Sequence, residues 1–211
     1  MNEEALEALT VQLERDTGDD WDFLVSHTIG RGSYKEAYGF LYRTSRVDYV
    51  DGAVVFLDNR DVFAREPFSA RFRLAESGQL IVMGNIHVLY GDTLADRLPE
   101  INALADYWGW LHETYQDTPV ILAGDFNVNN SNEAWGGLRD AGAVDIVNDG
   151  ATTLSSHDGR YANQYDHIWI NPAELDVIGT GKMPFPELLG ITHEVARATV
   201  SDHAPLMMVV E

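Results

Sequence analysis

PVILAGDFN, residues 119–127, joins a short apolar run directly to the polar residues Asp125 and Asn127. An apolar run of this length, bounded by proline and glycine, predicts a buried strand. LIVMGNIHV, residues 80–88, has the same character and carries His87 near its end. Polar side chains at the C-terminal ends of buried strands often belong to catalytic sites. The two segments therefore predict neighbouring candidate catalytic groups at strand ends.

Outside these two segments, strand patterns outnumber helix patterns. Leu6, Leu9 and Leu13 recur at helical spacing ahead of Gly18, so residues 3–16 predict a helix. A long amphipathic helix and a shorter helix are predicted at residues 94–115 and 132–141. Strands are predicted at residues 22–27, 36–43, 46–57, 68–74, 165–170 and 206–210. Because no repeat, linker or low-complexity tract interrupts the chain, one domain over residues 1–211 is expected.

The charge balance is strongly acidic. The chain has 34 Asp and Glu residues against 14 Lys and Arg residues, for a net charge of −20. Lys35 and Lys182 are its only lysines. Such an acidic excess with so little lysine predicts a surface adapted to molar salt, where the Debye length is ~3 Å and self-repulsion is screened. A moderately acidic protein from an ordinary environment is the alternative.

Composition also excludes several classes of protein. The 211 residues contain no cysteine, which excludes disulfides, thiolate catalysis and cysteine metal sites. The sequence contains no stretch of 18 or more uncharged apolar residues, so no transmembrane helix is expected. The acidic residues 1–4 do not resemble the start of a signal peptide. Neither membrane contact nor an obligate protein partner is expected, and the compartment, cytoplasmic or secreted, stays open.

Polar clusters lie at the ends of the predicted strands. They are Tyr34-Lys35-Glu36, Asn85-Ile86-His87, Asp125-Phe126-Asn127, Tyr165-Asp166-His167 and Ser201-Asp202-His203. Histidine and carboxylate pairs can transfer protons in phosphodiester hydrolysis, and Asp and Asn oxygens suit Mg²⁺ or Mn²⁺ rather than zinc. Each cluster alone is weak evidence, because an isolated Asp-His pair is more often a surface hydrogen bond and GDFN alone fits a turn. The ordered set is far more specific.

Four of these segments carry a family resemblance. HVLYGD (87–92), ILAGDFNVNN (121–130), YDHIWIN (165–171) and SDHAPLMM (201–208) resemble, in this order, the successive motifs of the endonuclease/exonuclease/phosphatase superfamily. GRGSYKEAYGFLYR (30–43) and FAREPFSARF (63–72) resemble the deoxyribonuclease I branch in particular. The resemblance implies an α+β fold, a four-layer αββα sandwich in which two mixed sheets pack face to face with helices outside.

The resemblance also implies catalytic residues. His87 and His203 match the two catalytic histidines of the family. Glu36 matches the carboxylate that orients His87, and Asp166 matches the partner of His203. Carboxylate partners fix the histidine tautomers and raise their pKa values. One imidazole would take a proton from water while the other protonates the leaving oxygen, and the sequence does not say which does which.

Metal ligands follow from the same resemblance. Asp125, Asn127 and Asp202 match residues near the family's metal, for which Mg²⁺ or Mn²⁺ is expected, with Ca²⁺ as a further candidate. His167 should point to the opposite face of its strand from Asp166, because successive side chains alternate.

Four residues are candidate substrate contacts. Tyr34 and Arg65 match residues that contact the DNA backbone or grooves, and Asn127 matches one near the scissile phosphate. Arg31 is added because a DNA groove in an acidic protein needs local cations.

One part of the family pattern has no match. The family normally opens with a strand bearing an Asn, a helix, and a strand ending in Gln-Glu, whose Glu is a principal metal ligand. Glu3 and Glu4 lie near the expected position but fall in the first predicted helix. We therefore expect an N-terminally incomplete fold whose true start lies upstream, with a natural truncation as the alternative. Residues 1–211 alone should then cleave slowly, because a weakly held metal neutralises less phosphate charge.

The function predicted from these observations is metal-dependent hydrolysis of phosphodiesters, as a DNA endonuclease. One alternative keeps the fold and metal but acts on a phosphomonoester, a nucleotide or a phospholipid head group. The other is an inactive fragment or a non-enzymatic interaction protein. The net charge of −20 weighs against a polyanionic substrate, because DNA binding normally uses a basic surface. GRGSYKE and FAREPF favour DNA over the smaller substrates.

Overall fold

The computed structural model describes residues 3–32, 34–147 and 149–211, so Ser33 of the GRGSYKE stretch lies outside the described residues. The strands are β1 (Trp21–Val25), β2 (Gly39–Arg43), β3 (Val47–Val55), β4 (Phe68–Leu74), β5 (Leu80–His87), β6 (Val120–Asp125), β7 (Val144–Asp145), β8 (Asp166–Ile170), β9 (Val177–Lys182) and β10 (Leu206–Val210). The helices are α1 (Glu4–Thr17), α2 (Leu94–Thr114), α3 (Gly136–Asp140), α4 (Phe185–Leu189) and α5 (His193–Thr199), with a 3₁₀ turn at Glu133–Trp135.

A mixed six-stranded sheet forms the centre of the fold, in the order β3-β4-β5-β6-β8-β7. β5 and β6 are parallel neighbours, and the other pairs in this sheet are antiparallel. Successive side chains of each strand point to opposite faces of the sheet, so each face has its own apolar core. Val82, Leu122 and Trp169 belong to the core on one face, and Ile81 and Ile121 to the core on the other. Strands buried on both faces must be apolar throughout, which explains the continuous apolar runs of β5 and β6.

α2 covers the first face of this sheet, where Leu104, Tyr107 and Leu111 are fully buried. Thr93 and Asp96 cap the first turn of the helix reciprocally. The helix begins soon after β5 ends, so the cap also holds the loop that follows His87.

The second layer consists of two antiparallel pairs, β1 with β2 and β9 with β10. Side chains from both pairs, including Leu24, Phe40, Val177 and Met208, pack on the sheet face opposite α2. The resemblance implies one mixed second sheet, but no backbone pairing joins the two pairs within the described ranges. α1 packs outside β1. The layers are therefore α2 with its neighbouring short helix, the six-stranded sheet, the two strand pairs, and α1. This is the order of the predicted α+β sandwich.

Most predicted elements have their expected type. The helix predicted at residues 132–141 is divided into a 3₁₀ turn and α3, because Gly136 and Gly137 are poor helix formers. β7, β9, α4 and α5 have no counterpart among the predicted elements. In the part of the chain that the structure describes, no helix is long and apolar enough to cross a membrane.

Candidate active site

Strand register places three of the candidate catalytic and metal-binding residues side by side. His87 at the end of β5 lies opposite Asp125 in β6, and Asp125 lies opposite Asp166 in β8. Neighbouring strands are about 4.8 Å apart, so the three side chains form a row across the sheet edge. A bridge between Thr153 and His203 brings the fourth residue to the same edge. Strand pairing thus assembles a site from segments far apart in sequence.

Gly124 allows β5 and β6 to approach closely just before Asp125. A Cβ atom on Gly124 would lie 1.9 Å from the carbonyl oxygen of Ile86, and φ at this residue is +156°. Any side chain here would therefore separate the strands and move Asp125 relative to His87. The glycine of GDFN is required by packing, in addition to its value as a turn residue.

Each candidate histidine contacts a carboxylate. Nδ1 of His87 lies 2.9 Å from Oε2 of Glu36, and Nδ1 of His203 lies 2.9 Å from Oδ2 of Asp166. An ionised carboxylate only accepts hydrogen bonds, so Nδ1 is the donor in each pair and Nε2 is directed elsewhere. These are the partners that the resemblance implies for the two histidines.

Asp125 lies between the two imidazoles. Its Oδ2 is 3.5 Å from Nε2 of His87 and 3.6 Å from Nε2 of His203. Burial raises the pKa of Asp125, and the nearby charge of Asp166 raises it further. A carboxylate in this position favours neighbours that carry positive charge.

His203 responds to the same carboxylates. The hydrogen bond to Asp166 raises the pKa of His203 to about 9, although burial opposes the change. The charges of Asp125 and Asp202 act in the same direction as Asp166. At neutral pH the imidazole is therefore protonated, and its Nε2–H can donate to an anionic oxygen.

The centre of the site has donors suited to a divalent cation. Asp125, Asp166 and His203 each offer one ligand atom, and these atoms lie within 4.8 Å of one another. Carboxylate oxygens are the ligands that Mg²⁺ and Mn²⁺ prefer. The raised pKa of Asp125, caused by burial near Asp166, shows that the site favours added positive charge. The two carboxylates are the stronger candidate ligands, because the raised pKa of His203 keeps a hydrogen on its Nε2 at neutral pH.

Asn127 is buried behind Asp125. Its Nδ2 donates to the carbonyl oxygen of Val88 at 2.8 Å, and its backbone N–H donates to Oδ1 of Asp125 at 2.9 Å. Its own carbonyl accepts from Arg97 at 2.6 Å. The backbone φ of +54° is one that Asn tolerates. Asn127 therefore orients Asp125 through its backbone N–H, and its side chain is held by the carbonyl of Val88.

The structure does not bring Asp202 into the cluster. Its side chain is 50% exposed, and one oxygen lies 3.2 Å from Nη2 of Arg197. Asp202 lies at a bend of the chain and on the wall of the cavity that contains His203, and its pairing with Arg197 holds its carboxylate outside the cluster. Asp166, predicted only as the partner of His203, lies beside Asp125 in its place.

Arg65, predicted as a DNA contact, is buried beneath the site. It donates to the carbonyl oxygens of His87 and Val88 at 3.0 and 3.1 Å. Its Nε also lies 3.2 Å from Oε2 of Glu36. Arg65 therefore supports the pair formed by Glu36 and His87 from below.

The other two predicted substrate contacts lie at the surface. Tyr34 is 62% exposed, and its hydroxyl donates to Oε1 of Glu36 at 2.7 Å. Arg31 instead pairs with Asp61, with 2.8 Å between Nη2 and Oδ1. The structure thus places Tyr34 beside the site, whereas the side chain of Arg31 is occupied by its pair with Asp61.

His167 points away from the catalytic edge, as alternation predicts. It is fully buried, with Nδ1 2.9 Å from Oδ2 of Asp145 and Nε2 2.8 Å from the carbonyl oxygen of Val128. It therefore anchors the segment that follows Asp125.

A cavity of about 650 Å³ opens in front of Asp125 and the two histidines. Its wall also contains Tyr90 and Tyr165, which belong to the motifs HVLYGD and YDHIWIN but have no predicted role there.

Comparison with known proteins places this architecture in a family. No family model matches the chain. Over its whole length the chain is 44% identical to a deoxyribonuclease of Thioalkalivibrio sp. (strain K90mix), and it spans 61% of that protein. It is 30% identical to deoxyribonuclease-1 of Homo sapiens, over 96% of the chain and 74% of that protein. An endonuclease/exonuclease/phosphatase from Bacteroides vulgatus has a similar structure, with a TM-score of 0.68 at 16% identity, over 99% of this chain and 80% of that one.

The layered α+β fold is that of the endonuclease/exonuclease/phosphatase superfamily. The sequence identities show that the chain belongs to its deoxyribonuclease I-like branch. Both the superfamily and the branch predicted from the motifs are confirmed.

Proposed function

We propose that the chain is a metal-dependent phosphodiester hydrolase that cleaves within DNA strands, and that residues 1–211 act as one domain. The position of Asp125 between two imidazoles carries this proposal, because each imidazole is held by its own carboxylate. The names of the relatives support the reaction class, since both are deoxyribonucleases.

The two histidines supply the two proton transfers of the reaction. Glu36 and Asp166 hold Nδ1 of His87 and His203, so each Nε2 is directed toward Asp125. One imidazole removes a proton from the attacking water, and the other delivers a proton to the leaving oxygen. The bond from phosphorus to the leaving oxygen breaks as the bond from water forms. The carboxylates stabilise whichever imidazole is protonated.

Asp125 and Asp166 would hold the divalent cation. When bound, Mg²⁺ or Mn²⁺ neutralises charge on the phosphate, and Ca²⁺ remains a further candidate. Asn127 keeps Asp125 in position through its backbone N–H.

Two observations favour DNA over a small phosphomonoester. The candidate groups line an open cavity that extends beyond the reacting centre. Tyr34 is exposed directly beside Glu36, where a strand entering the site would meet it. The net charge of −20 weakens long-range attraction to DNA, so binding depends on short-range contacts.

Conversion of supercoiled plasmid to the nicked form tests this proposal. The protein should nick plasmid in Mg²⁺ or Mn²⁺, should stop in excess chelator, and should leave p-nitrophenyl phosphate intact. Asp125→Asn should lower the rate about a hundredfold or more, because an electrostatic group at the reacting centre is lost. Asp140→Asn, an exposed acid in α3, is the control and should keep the full rate. Undiminished nicking in chelator, or hydrolysis of the monoester alone, contradicts the proposal.

A further inference from the structure

Tyr90 is an exposed aromatic side chain on the wall of the cavity that contains His87, Asp125 and His203. Its exposed fraction is 56%. It lies three residues after His87, so its Cα is within about 11 Å of the histidine's even in a fully extended chain. The proposed catalytic groups do not use it.

Arg97 supports one face of the Tyr90 ring. The guanidinium carbon lies 4.1 Å from the ring centroid, and Nε donates to the Tyr90 carbonyl at 2.6 Å. Arg97 is itself buried, and its Nη1 lies 3.3 Å from the hydroxyl of Tyr165. The Tyr165 ring meets Tyr90 edge to face, with 6.5 Å between centroids. With one face covered by Arg97, the exposed area of Tyr90 includes its other face.

The backbone around Tyr90 is fixed on both sides. Leu89 N–H donates to Glu100, and the N–H groups of Asp92 and Thr93 donate to Oδ2 of Asp96. The ring is therefore held in place before any ligand arrives, which reduces the entropy cost of binding.

We infer that Tyr90, backed by Arg97, is a subsite for an unpaired nucleobase of the nucleotide that adjoins the scissile phosphate. This inference rests on the proposed function and adds a substrate preference to it. Stacking on an aromatic ring accepts any base and does not depend on net charge. An affinity of that kind suits a chain with a net charge of −20, whose attraction to phosphates is weak. A base inside a duplex is covered on both faces, so the subsite favours single strands, gaps and frayed ends.

Equilibrium binding tests the subsite without requiring cleavage. Fluorescence anisotropy, in chelator, compares the full chain with a twelve-residue thymidine strand and with a strand of twelve abasic residues of equal charge. The wild type should bind the thymidine strand roughly five- to a hundredfold more tightly, the range for one stacked base. Tyr90→Phe should keep this ratio, and Tyr90→Leu, which still covers Arg97, should bring it close to one. Tyr49→Leu, at an exposed tyrosine on β3, is the matched control and should keep the ratio.

Equal wild-type affinity for the two strands overturns the inference, as does an unchanged preference in Tyr90→Leu. Neither outcome affects the proposed function, which fails only if metal-dependent nicking is absent. Conversely, a Tyr90-dependent preference in a protein that does not cleave would retain the subsite and remove the nuclease. A duplex of the same length should bind equally to the wild type and to Tyr90→Leu.

Discussion

Gly124 is the residue where packing constrains the candidate site most tightly, because a Cβ atom would meet the Ile86 carbonyl at 1.9 Å. Gly124→Ala should lower the free energy of unfolding by about 3 kcal/mol or more, since a backbone contact cannot move aside as a side chain can. Gly109→Ala, in α2 with no atom within 4 Å of the added Cβ, should instead raise it by ~0.5–1 kcal/mol. Urea denaturation measures both, and a Gly124→Ala protein of wild-type stability would contradict the geometry.

Substitution of Arg65 distinguishes between two roles for this residue, support of the site and binding of substrate. A lysine there can satisfy only part of the contacts to Glu36 and to the carbonyls of His87 and Val88. Arg65→Lys should therefore cost about 2 kcal/mol of stability, measured by urea denaturation. Arg46→Lys, at an exposed pair with Glu76, should change stability by less than about 0.5 kcal/mol. Wild-type stability with weakened DNA binding would instead favour the substrate contact predicted from the sequence.

At the scale of elements, the cap of α2 connects the helix to the loop after β5. The backbone N–H of Thr93 is the largest cause of the lowered pKa of Asp96. A lowered folded-state pKa stabilises the protein above the unfolded value, near 4, and the effect is lost as pH falls through the folded value. Asp96→Ala should therefore have a lower urea midpoint than the wild type at pH 7, and the difference should narrow below about pH 4.

The control for this cap is Glu113→Ala, in the last turn of α2, where an acidic group has no favourable interaction with the helix dipole. Its urea midpoint should match or slightly exceed that of the wild type at pH 7. A difference between Asp96→Ala and the wild type that is constant from pH 7 to pH 3 would show that the carboxylate charge does not contribute.

The sequence predicted elements whose pattern is strong and local. β4 and β10 have their predicted bounds, and α2 extends through Pro99 as its apolar spacing indicates. The sequence does not predict β9, because VIGTGK contains two glycines, which are depleted in strands. α4 and α5 have five and seven residues, too few for a helical period to stand out.

The candidate site was predictable where a motif fixes a residue on a strand. His87, Asp125 and Asp166 lie side by side because their strands are neighbours. The burial of Arg65 was not predictable from the sequence. This burial is what distinguishes its position in the structure from that of a surface contact with substrate. Tyr90 stands in the motif HVLYGD, but the resemblance implies no role for it. Only the folded structure shows that it lies on the wall of the cavity.

At the scale of the whole molecule, the acidic surface sets the conditions under which the protein is stable. A net charge of −20 at neutral pH produces self-repulsion that molar salt screens. The melting temperature should therefore rise from dilute buffer to molar KCl. An unchanged melting temperature would contradict adaptation to salt and leave the acidity without this explanation.

In the proposed reaction, His87 and His203 act together on one phosphodiester, on either side of Asp125. The most direct test is the rate of plasmid nicking by His87→Ala, by His203→Ala and by the double variant in Mg²⁺ or Mn²⁺. Each single change should lower the rate about a hundredfold or more, and the double variant should be little slower than either, because residues that act as a unit are not additive. Losses that multiply in the double variant would show that the two histidines act independently, and a wild-type rate in either single variant would contradict its proposed role.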